Sequence, residues 1–297
     1  MFSCTVAVMD ILDVEFAPGL YLDIVAPAYA AARLPAIVWL HGGGWRMQDR
    51  TARPDFARHF AERGFVMVSI DYRLTPDTIF PGQLHDVRRA LRWLRNHAEE
   101  YGIDADRIGL WGSSAGGHLA ALAGAHSSRM QLPGEEASEV SSAVHAVVEG
   151  YGPAFFDHQS DESPEAALLG GPIRDHPESA VAAGPVHQVG PGMPPFLILH
   201  GTADSLVPSV HSEQLFEALV AAGNDATLYL IDGFGHGFLN PGDVLELGPG
   251  VFLDQGRLEA QPNSPAEIRS TTTTRGTVSM DTIADFFSHH LGQGSPS

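Results

Sequence analysis

Ser114 lies in Gly112-Ser113-Ser114-Ala115-Gly116, between an apolar run from Arg107 to Trp111 and a small-residue helix pattern over Gly117 to Gly124. A serine flanked by glycines at a strand-to-helix turn can be held clear of the sheet, because the small neighbours let the backbone bend hard and still pack closely. A serine hydroxyl is almost fully protonated at neutral pH, so as a nucleophile it needs a base within hydrogen-bond reach. All 17 basic side chains are Arg and there is no Lys, which removes a Ser-Lys dyad, a P-loop and Schiff-base chemistry and leaves His as the base. Among 15 His, His236 stands between glycines after the last predicted core strand. A carboxylate must orient the other ring nitrogen and stabilise the imidazolium. Asp204, in Gly201-Thr202-Ala203-Asp204 after a buried-type strand and before a helix, suits that task. Asp232 and Asp225 are rival acids that read better as turn residues, and Ser113 is the fallback nucleophile.

Negative charge growing on a carbonyl oxygen under attack must meet donors already in place. The backbone N–H groups of Ala115, Gly43 and Gly44 are the candidates, the latter two from the loop His41-Gly42-Gly43-Gly44-Trp45. His41 reads as an anchor of that loop, not as a base, and Trp45 either lines the site or caps the core. No G-x-G-x-x-G stands in strand-to-helix context and no H-E-x-x-H occurs, so no cofactor and no metal are expected. Cys4 is the only cysteine, which excludes an internal disulfide and a dithiol motif.

These side chains must be brought together by the elements between them. Val6 to Phe16 and Leu20 to Val25 predict a hairpin at one sheet edge. Leu34 to Leu40, Phe65 to Asp71, Arg107 to Trp111, Ala143 to Tyr151, Phe196 to His200 and Thr227 to Ile231 read as strands buried on both faces. Helical spacing appears at Pro54 to Arg63, Pro81 to Tyr101, Ser209 to Ala222 and Asp281 to Leu291. In the second of these, Arg88, Arg89, Arg92 and Arg95 flank an apolar stripe and are expected to form a solvated face. Alternating strands and helices predict a mostly parallel sheet with helices on both faces, one α/β domain over 1–297, with reactive residues gathered at the carboxyl ends of strands. The span 152–194 reads as loop and short helices over the site; 239–279, with its Thr271 to Thr274 run, reads as an inserted loop, hairpin or partly disordered excursion of unknown role.

Composition narrows the partners. Asp plus Glu number 36, for a formal charge of −19, which repels phosphate backbones and argues against nucleic-acid binding. Met1 to Leu12 lacks the pattern of a signal peptide and no apolar run approaches a membrane span, so a cytoplasmic protein without membrane contact is expected. Association as a homodimer is left open.

The quoted segments, together with Asp71-Tyr72-Arg73-Leu74, Tyr151-Gly152-Pro153, Leu199-His200-Gly201 and Gly235-His236-Gly237-Phe238, resemble the α/β-hydrolase superfamily. The resemblance covers most of residues 5 to 240. Its nearest groups are hormone-sensitive-lipase-like carboxylesterases and bifunctional acetylxylan/feruloyl esterase-like proteins. It implies an α/β-hydrolase fold, a Ser114–Asp204–His236 triad and hydrolysis of small, short-acyl carboxylic esters, including acetylated-carbohydrate or feruloyl esters. Ser113 replaces an acidic residue common in the first group, which favours the second, and the short stretch before His41 implies a site without an N-terminal helical cap. Trp45, Phe155 and Phe156 are the expected pocket walls. Resemblance to kynurenine formamidase supplies an amidase alternative, and a non-catalytic binding protein on this scaffold is a third reading.

Overall fold

Apolar runs without alternation form strands only where both faces of a sheet are covered, and the helices here provide both covers. The computed structural model describes residues 7–157, 160–242, 245–248 and 251–292; Cys4 and Val6 lie outside them. Ten strands form one sheet in the order β1-β2-β4-β3-β5-β6-β7-β8-β11-β12. They are β1 (Val8–Ala17), β2 (Leu20–Pro27), β3 (Leu34–Leu40), β4 (Val66–Ile70), β5 (Ile103–Ser113), β6 (Ala146–Gly150), β7 (Phe196–Gly201), β8 (Ala226–Ile231), β11 (Ser264–Arg269) and β12 (Thr273–Val278). The six strands from β4 to β8 in that order pair in parallel, and the outer pairs on both sides are antiparallel. A separate short ribbon consists of β9 (Leu245–Gly248) and β10 (Val251–Leu253).

Successive side chains of β3 serve opposite cores, as strand geometry requires. Val38 and Leu40 join α2 (Gly82–Asn96), α3 (Ala115–Ala125) and α7 (Val210–Ala221) on one face. Ile37 and Trp39 face α1 (Phe56–His59) and α9 (Met280–Leu291) on the other, where Trp39 and Trp111 pack edge to face with ring centroids 4.6 Å apart. The span 152–194 carries α4 (Pro164–Leu169), α5 (Pro177–Ala183) and α6 (Pro185–Gln188); α8 (Arg257–Ala260) follows β10.

One expectation is corrected. The arginine stripe of α2 is not a solvated face. Arg88 and Arg92 are buried, and both donate to Glu135 Oε1, at 2.8 and 2.6 Å. Arg88 also donates to the carbonyls of His126 and Arg129, Arg92 to those of Met130 and Val140, and Arg95 to those of Ser141 and Ala143. The helix therefore uses guanidinium forks to satisfy the carbonyls of a 126–143 loop that has no ladder of its own. Of the readings left open for 239–279, the hairpin describes its last part: β11 pairs with β8 and carries β12 beyond it, so the parallel core ends in antiparallel strands.

Candidate active site

The strand order turns between β3 and β5: β4 follows β3 to one side and β6 follows β5 to the other. Such switch points open a crevice at the carboxyl ends of the strands. Leu40 and Gly112 are register partners there, so the loop after β3 and the turn after β5 leave the sheet side by side. Ser114 has φ 53° and ψ −120°, a strained conformation for a residue with a side chain. The turn survives because Gly112 and Gly116, two residues to either side, have none. A Cβ on Gly112 would stand 2.2 Å from Gly116 O, and one on Gly116 2.0 Å from Leu40 O. Ser114 N donates to Gly150 O at 2.7 Å, tying the turn to β6.

The structure brings Ser114, His236 and Asp204 into one hydrogen-bonded line. His236 Nε2 lies 2.8 Å from Ser114 Oγ, and His236 Nδ1 lies 2.7 Å from Asp204 Oδ2. Asp204 Oδ1 accepts from the backbone N–H of Leu206 and Val207 at 3.0 and 2.9 Å. Burial alone would raise the Asp204 pKa, but hydrogen bonds from His200 and His236 more than reverse this and hold it below the usual carboxylate range. It is therefore an anion at neutral pH, facing the imidazole.

The amides of Gly43, Gly44 and Ala115 have no hydrogen-bond partner among the described residues. Gly43 has φ 97°, and its carbonyl accepts from Arg46 and Met47 N–H, which closes the loop. Ala115 opens α3, where a first-turn N–H has no helical acceptor and the helix dipole favours negative charge. His41 is buried with Nδ1 2.8 Å from Gly42 O, and its ring stacks on Tyr72 at 4.3 Å, which holds it within the loop and away from base chemistry.

Gly43, Gly44, Trp45, Ser114 and His236 line a cavity of about 460 Å³ whose apolar walls include Met47, Pro153, Pro164, Leu206, Val207 and Leu253. Phe155 and Phe156 are not among its lining residues, which corrects their expected place. Phe155 stacks on His211 at 4.0 Å, and Phe156 packs behind the loop against Trp45 and His118. Trp45 itself is buried and both caps the core and touches the cavity. The rivals are elsewhere: Ser113 Oγ donates to Asn240 Oδ1 at 2.9 Å and is fully buried, while Asp232 pairs with Arg275 at the surface.

The sequence did not reveal what holds His236. Gly235 N donates to Asp254 Oδ2 at 2.6 Å, Asp254 N donates to His236 O at 2.7 Å, and Arg257 Nη1 donates to Gly233 O at 2.7 Å. The Arg257 guanidinium also lies over the Phe234 ring at 4.1 Å. Segment 239–279 thus clasps the histidine loop and contributes Leu253 to the cavity. Nothing periodic marks Asp254 or Arg257, so no pattern could have found them.

A family model described as BD-FAE matches residues 22–219. The chain belongs to the BD-FAE family. Its relatives include Esterase LipC of Mycobacterium tuberculosis, 33% identical over 69% of this chain and 53% of LipC. The chain spans about half the length of the curated relatives it matches. Among solved structures it is similar to a truncated carbohydrate esterase from gut microbiota, with TM-score 0.72 and 30% identity over 79% of this chain and 90% of that one. It is also similar to Thermogutta terrifontis esterase 2 phosphonylated by cyclosarin, with TM-score 0.61 and 33% identity over 74% of this chain and 80% of that one. These BD-FAE likenesses and the mostly parallel sheet make the fold an α/β-hydrolase fold. No described helix is long and apolar enough to cross a membrane.

Proposed function

We propose that this chain is a carboxylic ester hydrolase that cleaves small, short-acyl esters through an acyl-enzyme on Ser114. The line from Ser114 Oγ through His236 to Asp204, beside three unpartnered amides, is the observation that carries the reading. His236 Nε2 takes the hydroxyl proton as Oγ attacks the ester carbonyl, and Asp204 stabilises the resulting imidazolium. The carbonyl oxygen gains negative charge opposite the amides of Gly43, Gly44 and Ala115, donors that need no reorganisation. Collapse expels the alcohol with the proton returned by His236. Water, deprotonated by the same histidine, then attacks the acyl carbon and releases the acid and Ser114.

The apolar walls suit an acyl or alcohol group of modest size in about 460 Å³. The carbohydrate esterase neighbour supports acetylated sugars as the first class to try. Amide hydrolysis is not favoured, because the named relatives are esterases. A panel of acetyl, propionyl, butyryl and feruloyl esters, acetylated sugars and an N-formyl amide tests the reading. The acetyl esters are expected to turn over fastest, and loss of all turnover in Ser114→Ala is expected alongside. A Ser114→Ala protein that hydrolyses nitrophenyl acetate at the parent rate refutes the nucleophile.

A further inference from the structure

Behind Asp204 runs a buried polar chain that the hydrolytic cycle does not use. Glu149, near the end of β6, is 1% exposed, and Ser212 and His200 are 0% exposed. Gly152 N donates to Glu149 Oε1; Ser212 Oγ lies 3.2 Å from Glu149 Oε2 and 2.7 Å from His200 Nδ1. His200 Nε2 lies 2.8 Å from Val207 O and 3.4 Å from Asp204 Oδ2, the same oxygen that serves His236. A carboxylate this deep needs a positive partner or its proton, and no arginine is paired with it among the described residues.

Counting hydrogens shows why the three side chains act together. Ser212 has one hydroxyl proton and two neighbours that could accept it. With Glu149 ionised, Ser212 donates to Glu149 and His200 must donate from Nδ1 as an imidazolium. With His200 neutral and its proton on Nε2, Ser212 donates to Nδ1 and Glu149 must be protonated and donate to Ser212. The two arrangements contain the same protons. They interconvert when the Glu149 proton passes to Ser212 Oγ as the Ser212 proton passes to His200 Nδ1.

We propose that Glu149, Ser212 and His200 form a proton-sharing relay that sets how much of the Asp204 charge is available to His236. This inference rests on the triad reading above. In the imidazolium arrangement a positive charge stands 3.4 Å from Asp204 Oδ2 and competes with His236 for it. In the neutral arrangement His200 keeps its Nε2 proton beside that oxygen but carries no net charge, so more of the carboxylate charge supports the His236 imidazolium. Desolvation raises the Glu149 pKa to about 7, which keeps its proton within reach at neutral pH. The other titratable groups packed around the relay do not add charge there. Burial lowers His118, from α3, and His211, from α7, to about 4, and it raises Tyr151 well above the usual tyrosine range. Asp157 acts on His211 from outside the chain of bonds. All three members are positioning residues, since none lines the cavity.

The pH profile of kcat/KM on nitrophenyl acetate tests this with Glu149→Gln and Ser212→Ala. Either change leaves His200 neutral, so the acid limb is expected to move to higher pH by at least half a unit in both, and no further in the double variant. Limbs superimposable on that of the parent protein overturn the relay, whatever happens to kcat, because a merely structural role lowers activity without moving the limb. Should Glu149→Gln fail to fold by circular dichroism, the smaller Ser212→Ala change decides alone. Labelling by an organophosphonate separates the two failures. A parent protein that labels at Ser114 while the limbs stay fixed sinks only the relay, and one that does not label sinks the triad with it.

Discussion

Replacing Gly43 by Ala tests whether the loop after β3 supplies catalytic donors. A Cβ there would stand 2.2 Å from Met47 O and 2.9 Å from the Met47 side chain, and the residue has φ 97°. Met47 O is backbone, in a loop closed by hydrogen bonds onto the Gly43 carbonyl, so relief requires the loop to shift by roughly 1 Å, a displacement that can cost about 10²-fold in rate. The shift carries the Gly43 and Gly44 amides away from the developing oxyanion, and loss of one such donor costs about 3–4 kcal/mol. We expect kcat for nitrophenyl acetate to fall roughly 10²- to 10³-fold with KM changed little, the pattern of an interaction made mainly in the transition state. Gly19→Ala is the control: φ is also positive, at 74°, but nothing lies within 4 Å of the added carbon and the turn is remote from the site. It should lose about 1 kcal/mol of stability and no activity. A folded Gly43→Ala protein with kcat within threefold of the parent would refute the assignment of donors.

Asp204→Asn is expected to lower kcat about 10⁴-fold in steady-state assays with the fold retained, because the amide offers His236 the wrong tautomer; a tenfold loss or less contradicts the role. Asp254→Ala frees the loop carrying His236, and a loss of roughly 10-fold in kcat/KM with a small change in thermal midpoint is expected, since misplaced groups lose rate before they lose fold. Glu135→Ala strands Arg88 and Arg92 and should cost about 3–5 kcal/mol in urea denaturation at neutral pH. Burial pushes the Glu135 pKa up, but hydrogen bonds from Arg92 and Arg88 outweigh it and bring it down to about 2 from 4.5. The pair's stabilisation is thus complete above pH 4.5 and lost as pH falls towards 2, so the gap between the parent protein and Glu135→Ala should close over that window.

The central sheet was legible because each parallel strand carries apolar residues at successive positions, a pattern that needs both faces covered. The nucleophile turn was legible because glycine is required at both 112 and 116, the first by a backbone contact within the turn and the second by the Leu40 carbonyl of the neighbouring strand. Groups whose partners lie far along the chain were not. Arg88 and Arg92 look like any exposed helix charges until Glu135 folds back on them, 47 and 43 residues away. Phe156 carries no mark that separates a core ring from a pocket wall. For 239–279 the sequence left loop, hairpin and disorder open, because β11 and β12 carry few large apolar residues and form the end of the sheet.

Intact-mass and peptide mapping after exposure to a fluorescent organophosphonate tests the Ser114 nucleophile most directly. One adduct per chain is expected, on Ser114, formed with concurrent loss of esterase activity and absent from Ser114→Ala and His236→Ala. An adduct on any other residue, or full hydrolytic activity in a protein whose Ser114 is completely modified, would contradict that assignment.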